Sequence, residues 1–596
     1  MRLSGTLSRT ISTSRGLGNQ LWDLAGNRPS LDLPFADNKS LVDATTGTNL
    51  VTFTRASSGT YVGSDGLIKT ATTNLLLRSQ ELATGPWFNA NVTLTNNTGD
   101  TVDPIGGSTA TKIVSSGTGA IGQGAVISAV STGSVWLRTL SGTLNMSLIV
   151  YLSNPPFTNI GTANITVTTN WQRFSVTTTN PPSAASYNLQ LNGIPAGTLY
   201  AWGAQLEPSS TVGEYIPTTS TINSAPRFDH NPTTGESLGL LVEEARTNSI
   251  RNNTMVGAVA GTPGTLPTNW VTNLPANGIS GAVSAIGTEN GITYIDYRIS
   301  GTASADIAPV LRFEANNNAA ASSGQSWTAS LYAKLTAGSL GSTTLVHQLR
   351  WTDSGGSVLS TVNTGAAFTP TGSALGGQRY SATGTAIAST AFVSQLLATS
   401  TIANGSTVDF TLRIGLPQLE QGAFATSVIP TSTTAVTRSA DVASITGSNF
   451  SSWYRQDEGT VFYDGQVLGS DPSTNKSILG LSNGSGNNTI DMFIPSAVNQ
   501  RFRLAVGGVN QVLQNTVATA NVYSPVKSTY AFKVDDTTSA SNGTVLPTDT
   551  SCSIPTVDRF TLGSLTTGEA QVAARFKRIT FWPQRLSNRT LQQITQ

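Results

Sequence analysis

From Val408 to Ile414 the chain alternates without a break. Val408, Phe410, Leu412 and Ile414 fall on one side, and Asp409, Thr411 and Arg413 on the other. A period of two over this length predicts a strand with one face on a core. The strand runs into Gln418-Leu419-Glu420 and, after eight more residues, Ile429-Pro430-Thr431. The same marks stand 213 positions earlier, as Gln205-Leu206-Glu207 and Ile216-Pro217-Thr218. In that register Leu199 and Ala201 belong to a buried face, and Tyr200 and Trp202 to the opposite one. Runs such as "NITVTT" and "TLNMSLIVYL" alternate too, separated by the turn signals "NPP", "NGIPAG" and "DSGG". Many short strands with such turns predict a sandwich or jelly roll.

The echo is wider than one strand. "TNLLLRS" from Thr73 answers "TNSIRNN" from Thr247, "SVWLR" (Ser134 to Arg138) answers "SLYAK" (Ser330 to Lys334), and "QRFS" (Gln172 to Ser175) answers "QRYS" (Gln378 to Ser381). The order is kept while the spacings drift, as expected for two homologous β-modules whose loops differ in length. They are placed at 73–222 and 247–436, with a β-rich connector at 31–72 and a linker at 223–246. The region 437–596 lacks these marks. In its "ARFKRITFW", Ile579 and Phe581 are out of phase with Phe576 by one residue, which predicts a bulge near Lys577-Arg578. Ser587 is placed to cap a short final helix.

Composition narrows the class. Of 596 residues only 11% are charged and the net charge is +1, against roughly 25% charged in an average globular chain. Neither a nucleic-acid partner nor an anionic membrane surface is suggested. No apolar run reaches the roughly 18 residues of a membrane span. One cysteine, Cys552, excludes an intrachain disulfide and fits folding in a reducing cytoplasm. The N-terminal residues lack the apolar core of a secretory signal and carry Arg2, Arg9 and Arg15 ahead of Trp22, with no acid before Asp23. Residues 1–30 are therefore expected to be a docking arm, with these four as its candidate contacts.

The segments "VTFTRASSGTYVGSDGLI", "APRFDHNPTTGESLGLLVEEARTN" and "WGAQLE…YIPT" together resemble a family of tailed-bacteriophage virion proteins. These are tail or head fibres, spikes and appendages with carbohydrate-binding-type jelly-roll modules. In that family the "FTRAS" and "PRFD…LLVEEARTN" segments are normally continuous. Here a whole module separates Phe53–Ser57 from Arg227, as if the first module were inserted or duplicated. The region from "WYRQDEGT" to "QRLSN" resembles a concanavalin-like, laminin-G-type sandwich. The resemblance implies an all-β chain of tandem jelly rolls followed by that sandwich. It also implies attachment to capsid, portal or tail, a homo-oligomer that is most often a trimer, and localisation to the virion.

Candidate chemistry is sparse. With only His230 and His347, a Ser-His-Asp triad or a histidine zinc site has few residues to draw on. His230 is expected to pack. Glu243 and Glu244 are adjacent, so on a strand they point to opposite faces and cannot flank one glycosidic bond. They are expected to pair with Arg227 or Arg246. Asp535-Asp536, in a turn of the laminin-G-like region, is a weak calcium candidate; no other cofactor is expected. Sugar rings stack on exposed aromatics, and Tyr200, Trp202, Trp136, Tyr332 and Trp351 are the candidates, although Trp and Tyr also favour cores and subunit contacts.

The expected function is a non-enzymatic virion appendage whose β-modules bind host-surface glycan, with avidity across an oligomer. A purely structural adaptor or decoration protein is the alternative. A polysaccharide depolymerase is disfavoured, because no β-helix repeat and no carboxylate pair is present.

Overall fold

The computed structural model describes residues 18–179, 181, 184–274, 277–314, 318–363, 367–469, 475–495, 499–515, 523–566 and 571–596. The chain is all-β: two jelly-roll modules and a sandwich, built from antiparallel sheets. The sandwich has an eight-stranded and a seven-stranded sheet. Its strands come from further apart than the sequence suggested. Leu31–Leu33 pairs with Ala573–Trp582, placing Leu31 opposite Phe581 and Leu33 opposite Ile579. Thr52–Thr54 pairs with Val442–Thr446. Arg227–His230 and Ser237–Val242 form a hairpin that continues the same edge of Ala573–Trp582, Leu240 lying opposite Phe576, while Glu458–Gly469 takes the other edge. Leu31, Leu33, Phe53, Leu240 and Val242 all enter the one core shared with Phe576, Ile579 and Phe581.

The expected connector and linker are thus largely strands of the C-terminal sandwich. The first module is inserted between Ile68–Thr70 and Arg227–His230, and the second between Ser237–Val242 and Val442–Thr446. At each neck the chain leaves and returns as a paired ribbon: Thr73–Asn74 with Asn223–Ser224, and Arg246–Asn248 with Val436–Arg438.

The bulge expected near Lys577 is present. Arg578 lies opposite Asp464 and Phe576 opposite Gly465, so Lys577 is the extra residue that brings Phe576, Ile579 and Phe581 to one face. Ser587 caps the final helix, Asn588–Ile594, its hydroxyl accepting from the Thr590 amide at 3.2 Å. That helix packs Leu591 and Ile594 against Leu21 and Ala25 of the helix Gly18–Ala25. Trp22 is held by its own chain, its indole N–H donating to Asp32 Oδ2 at 3.1 Å. Arg2, Arg9 and Arg15 lie outside the described residues.

In the first module one eight-stranded sheet folds over itself through the long strand Thr111–Ile127. The second has a five-stranded and a six-stranded sheet. The expected phase holds in both: Leu199 and Ala201 enter the first core, and Phe410, Leu412 and Ile414 the second.

The repeated words form one polar clasp, made twice. Gln205 Oε1 accepts from the Ile216 amide at 2.8 Å, and Gln418 Oε1 from the Ile429 amide at 2.8 Å. Each glutamine's Nε2 donates to the glutamate two residues on, Glu207 or Glu420. That glutamate accepts from the amide of Gly213 or Thr426. The "TN" asparagines close the circuit: Asn74 donates to the Ile216 carbonyl at 2.9 Å and Asn248 to that of Ile429 at 3.0 Å. The "QR" arginines do the same work from the side. Arg173 donates to Gly213 O and Ser134 Oγ, and Arg379 to Thr426 O and Ser330 Oγ. Apart from Arg173 Nε and Arg379 Nε, which have no partner among the described residues, these polar groups are satisfied within the fold, which fixes where the returning segment docks.

Candidate functional site

The five aromatic candidates do not form an exposed platform. Tyr200 and Trp202 do lie on the face away from the core, but the segment 98–110 folds over them. Trp202 Nε1 donates to Thr109 Oγ1 at 2.8 Å, and the Tyr200 hydroxyl meets Asp100 Oδ2 at 3.4 Å. Trp202, Trp136 and Tyr215 pack together with ring centroids 4.6 to 5.5 Å apart. Burial drives the Tyr215 phenol far above its usual range. Trp136 also lies under Arg173, at 4.2 Å. Tyr332 holds the corresponding place in the second module, buried beside Arg379. Trp351 points into the second core and is fully buried. Alternation gave the right face for Tyr200 and Trp202; what it could not give is the loop that covers it.

The titratable candidates are also committed to the fold. Glu243 pairs with Arg227 at 2.7 Å and with Arg438 at 3.3 Å, and Glu244 pairs with Arg246. Burial alone would raise the Glu243 carboxyl, but Arg438, Arg227 and the hydrogen bonds from Ser427 outweigh it and hold it well below the usual carboxylate range. His230 packs in the sandwich, with Nδ1 3.1 Å from Val62 O. His347 is buried beside Gln395, and burial lowers it to about 4. Asp535 accepts from the Cys552 amide at 3.0 Å, and Asp536 pairs with Arg585 at 2.9 Å. No group of three His, Cys, Asp or Glu side chains that could hold a metal is found among the described residues.

A different surface gathers binding chemistry. In the first module, Leu144–Leu152 and Ala185–Ile194 lie side by side, with Thr111–Ile127 and Asn159–Val167 flanking them. Leu148, Val150, Leu189 and Leu191 fill the core from one face. On the other face the register aligns Asn188 with Tyr151, Gln190 with Ile149, and Asn192 with Ser147. The Tyr151 hydroxyl donates to Gln190 Oε1 at 2.7 Å, and Gln190 Nε2 donates to Asn192 Oδ1 at 3.0 Å. The row continues through Ser147 to Asn164 at 2.9 Å.

Two glycines, Gly122 and Gly124, leave the adjoining strand bare opposite Gln190 and Asn188. A β-carbon on Gly122 would meet the Phe88 ring at 2.7 Å and Leu189 O at 2.8 Å, so only glycine lets that ring lie across the strand. Phe88 itself is exposed and Tyr151 half-buried, while Asn188 and Gln190 between them are only 9% and 8% exposed. The result is a sheet face of amides and hydroxyls with an aromatic side chain at two of its borders. None of the paired positions named on it is an acid or a strong base. Amide groups offer paired donors and acceptors to sugar hydroxyls, and the rings offer apolar faces to sugar C–H groups.

Sequence reasoning passed over this row because "TLNMSLIVYL" places Ile149 on the outer face.

No family model matches the chain, and no curated protein matches it. Among solved structures it is similar to the tandem CBM22-1–CBM22-2 domain of Paenibacillus barcinonensis Xyn10C. Identity is 12% over 59% of this chain and 98% of that one, with a TM-score of 0.21. It is also similar to the CBM40 of Ruminococcus gnavus IT-sialidase bound to α2,3-sialyllactose, at 16% identity over 24% of this chain and 84% of that one, with a TM-score of 0.21. A third is a CBM4 structure, 15% identical over 21% of this chain and 86% of that one, with a TM-score of 0.18.

Proposed function

We propose that the chain is a non-enzymatic glycan-binding protein of a tailed-phage virion appendage, with a sugar site on the outer face of the first module. The observation that carries the sugar site is the row Tyr151, Gln190, Asn192 beside Asn188, Gly122 and Phe88. Its chemistry is that of hydroxyl recognition: neutral, amide-rich and bordered by aromatic rings. The sandwich is the base from which both modules project, and the N-terminal arm expected at residues 1–30 docks the chain to the virion. The virion role, the homotrimer and the surface glycan of a bacterial host follow from the sequence resemblance. Glu243 and Glu244, buried in ion pairs, are not available as the acid and base of a hydrolase.

The test is binding of the full chain to an array of neutral polysaccharides, with released sugar measured in the same samples. Tyr151→Ala and Gln190→Ala should each weaken binding at least tenfold with the melting temperature little changed, and no oligosaccharide should appear. No binding by the full chain would favour the structural-adaptor reading. Binding untouched by both substitutions would move the site elsewhere, and sugar release would reverse the non-enzyme reading.

A further inference from the structure

The second module and the sandwich do not close on each other completely. A cavity of about 360 Å³ is left between them, walled by the hairpin of Thr60–Val62 with Ile68–Thr70, by Asp229 and Arg575 of the sandwich, and by Tyr332, Arg379 and Ser427 of the second module. That volume lies within the roughly 300–1,000 Å³ of small-molecule sites. At about 30 Å³ for each water-sized group, it holds a molecule of roughly a dozen non-hydrogen atoms. Its walls are tied together. Asp229 accepts from the Val62 amide at 2.8 Å and pairs with Arg575 at 2.6 Å. Thr60 Oγ1 donates to Val428 O at 2.5 Å, joining the hairpin to the second module. A β-carbon on Gly66 would meet Pro232 O at 2.7 Å, so the turn of that hairpin comes this close only with glycine.

The cavity has more donors than acceptors on its walls. Tyr332 is 6% exposed and lines it, and its hydroxyl has no hydrogen-bond partner among the described residues. The half-buried Tyr61, on the hairpin wall, has none for its hydroxyl either. A phenol withdrawn from water normally finds an acceptor. The module fold does not demand this tyrosine, because the first module has Trp136 at the same place, closed in by Trp202 and Tyr215. Burial raises the Tyr332 phenol, so it keeps its proton at neutral pH. The carboxylates of the wall are already taken: Asp229 as above, and Glu243 by Arg227, Arg438 and Ser427. Arg379 donates to Thr426 O at 2.6 Å and to Ser330 Oγ at 2.9 Å, yet forms no ion pair among the described residues. Its guanidinium stands 5.7 Å from the centre of the Tyr332 ring. Idle donors beside a charge without a counter-charge suit an anion.

We propose that this cavity binds a small oxyanion, a molecule of that size bearing a carboxylate or phosphate group, with the hydroxyls of Tyr332 and Tyr61 donating to it and Arg379 supplying the counter-charge. The proposal does not depend on the sugar site of the first module. A ligand held there touches the hairpin, the sandwich and the second module at once, and so braces the module against its base.

The experiment titrates the full chain in a calorimeter with inorganic phosphate, citrate and glucuronate, and with glucose as the neutral control. At least one anion should bind at least tenfold more tightly than glucose. Its presence should slow hydrogen exchange in Thr60–Val62 and at Ser427 and Val428. Tyr332→Phe and Tyr61→Phe each remove one hydroxyl and should each weaken binding about tenfold, the order expected for a hydrogen bond to a charged group. Tyr151→Ala should leave binding unchanged. Whether phosphate or the two carboxylates bind more tightly tells which oxyanion the cavity takes. No binding of any of the three anions, or binding no tighter than that of glucose, would overturn the proposal. So would binding untouched by both tyrosine substitutions, and so would binding lost in Tyr151→Ala, which would place the anion on the first module.

Discussion

Asp441→Asn is the substitution that most directly tests how the three units are joined. Asp441 is fully buried and accepts from Arg55 Nη1 at 2.8 Å, from Arg227 Nη2, and from the Glu243 amide at 2.8 Å. Its partners come from the segment before the first module and the segment between the modules, while Asp441 itself stands just ahead of the strand Val442–Thr446 that starts the last stretch of the sandwich. Replacing the carboxylate with an amide leaves Arg55 without an ionic partner and Arg227 and Arg438 with Glu243 alone, in a fully buried site. Removing one partner from a buried ion pair costs about 3–5 kcal/mol. The control is Asp409→Asn, whose pair with Arg298 at 2.7 Å is 58% and 50% exposed, so its loss should move the midpoint little. In urea, with a slope near 2 kcal/mol per M, the Asp441 variant should unfold about 1.5–2.5 M earlier. Hydrogen exchange should place the loss in Arg227–His230, Ser237–Val242 and Val442–Thr446. A midpoint that moves no further than that of the Asp409 variant would refute the reasoning: the cluster would then be a bystander to the junction.

Two further outcomes are expected. His347 is buried and held at about 4, below the ordinary 6.5. Under acid the unfolded chain therefore takes up a proton that the folded chain refuses. Stability from this group is complete above pH 6.5 and falls by about 3 kcal/mol by pH 4, so the melting temperature of His347→Gln should fall less between pH 7 and pH 4 than that of the parent chain; parallel falls would contradict it. Trp202→Ala should cost about 3–5 kcal/mol by emptying the space shared with Trp136 and Tyr215 while leaving sugar affinity within twofold, the reverse of Tyr151→Ala; a loss of affinity without a loss of stability would return Trp202 to the binding surface.

Much of the fold was legible because local patterns and long-range pairing agree. The alternation around Leu412, the phase break at Lys577 and the doubled "QLE…IPT" each had a physical cause in strand geometry or buried hydrogen bonding. The discontinuous sandwich was not legible. Leu31–Leu33 and Thr52–Thr54 are three-residue strands, and Arg227–His230 has four. Runs that short carry almost no periodicity, and their partners stand hundreds of residues away. The candidate site was missed for a related reason. A residue's face can be read from alternation, but its exposure depends on which loop folds over that face, as with Trp202 and the segment 98–110.

The paired ribbons at the necks set how the modules can move. A body hung from one strand swivels freely, whereas one hung from two hydrogen-bonded strands resists torsion. The ribbon of Thr73–Asn74 with Asn223–Ser224 is reinforced by a hydroxyl contact between Thr73 and Ser224 at 2.6 Å, and that of Arg246–Asn248 with Val436–Arg438 by Thr247 and Thr437 at 2.8 Å. Drag on either module is carried to the base along two covalent lines in parallel, each bearing part of the load. The base feels the pull as a bending moment at a stiff joint, and a tethered module keeps its heading instead of spinning about its attachment.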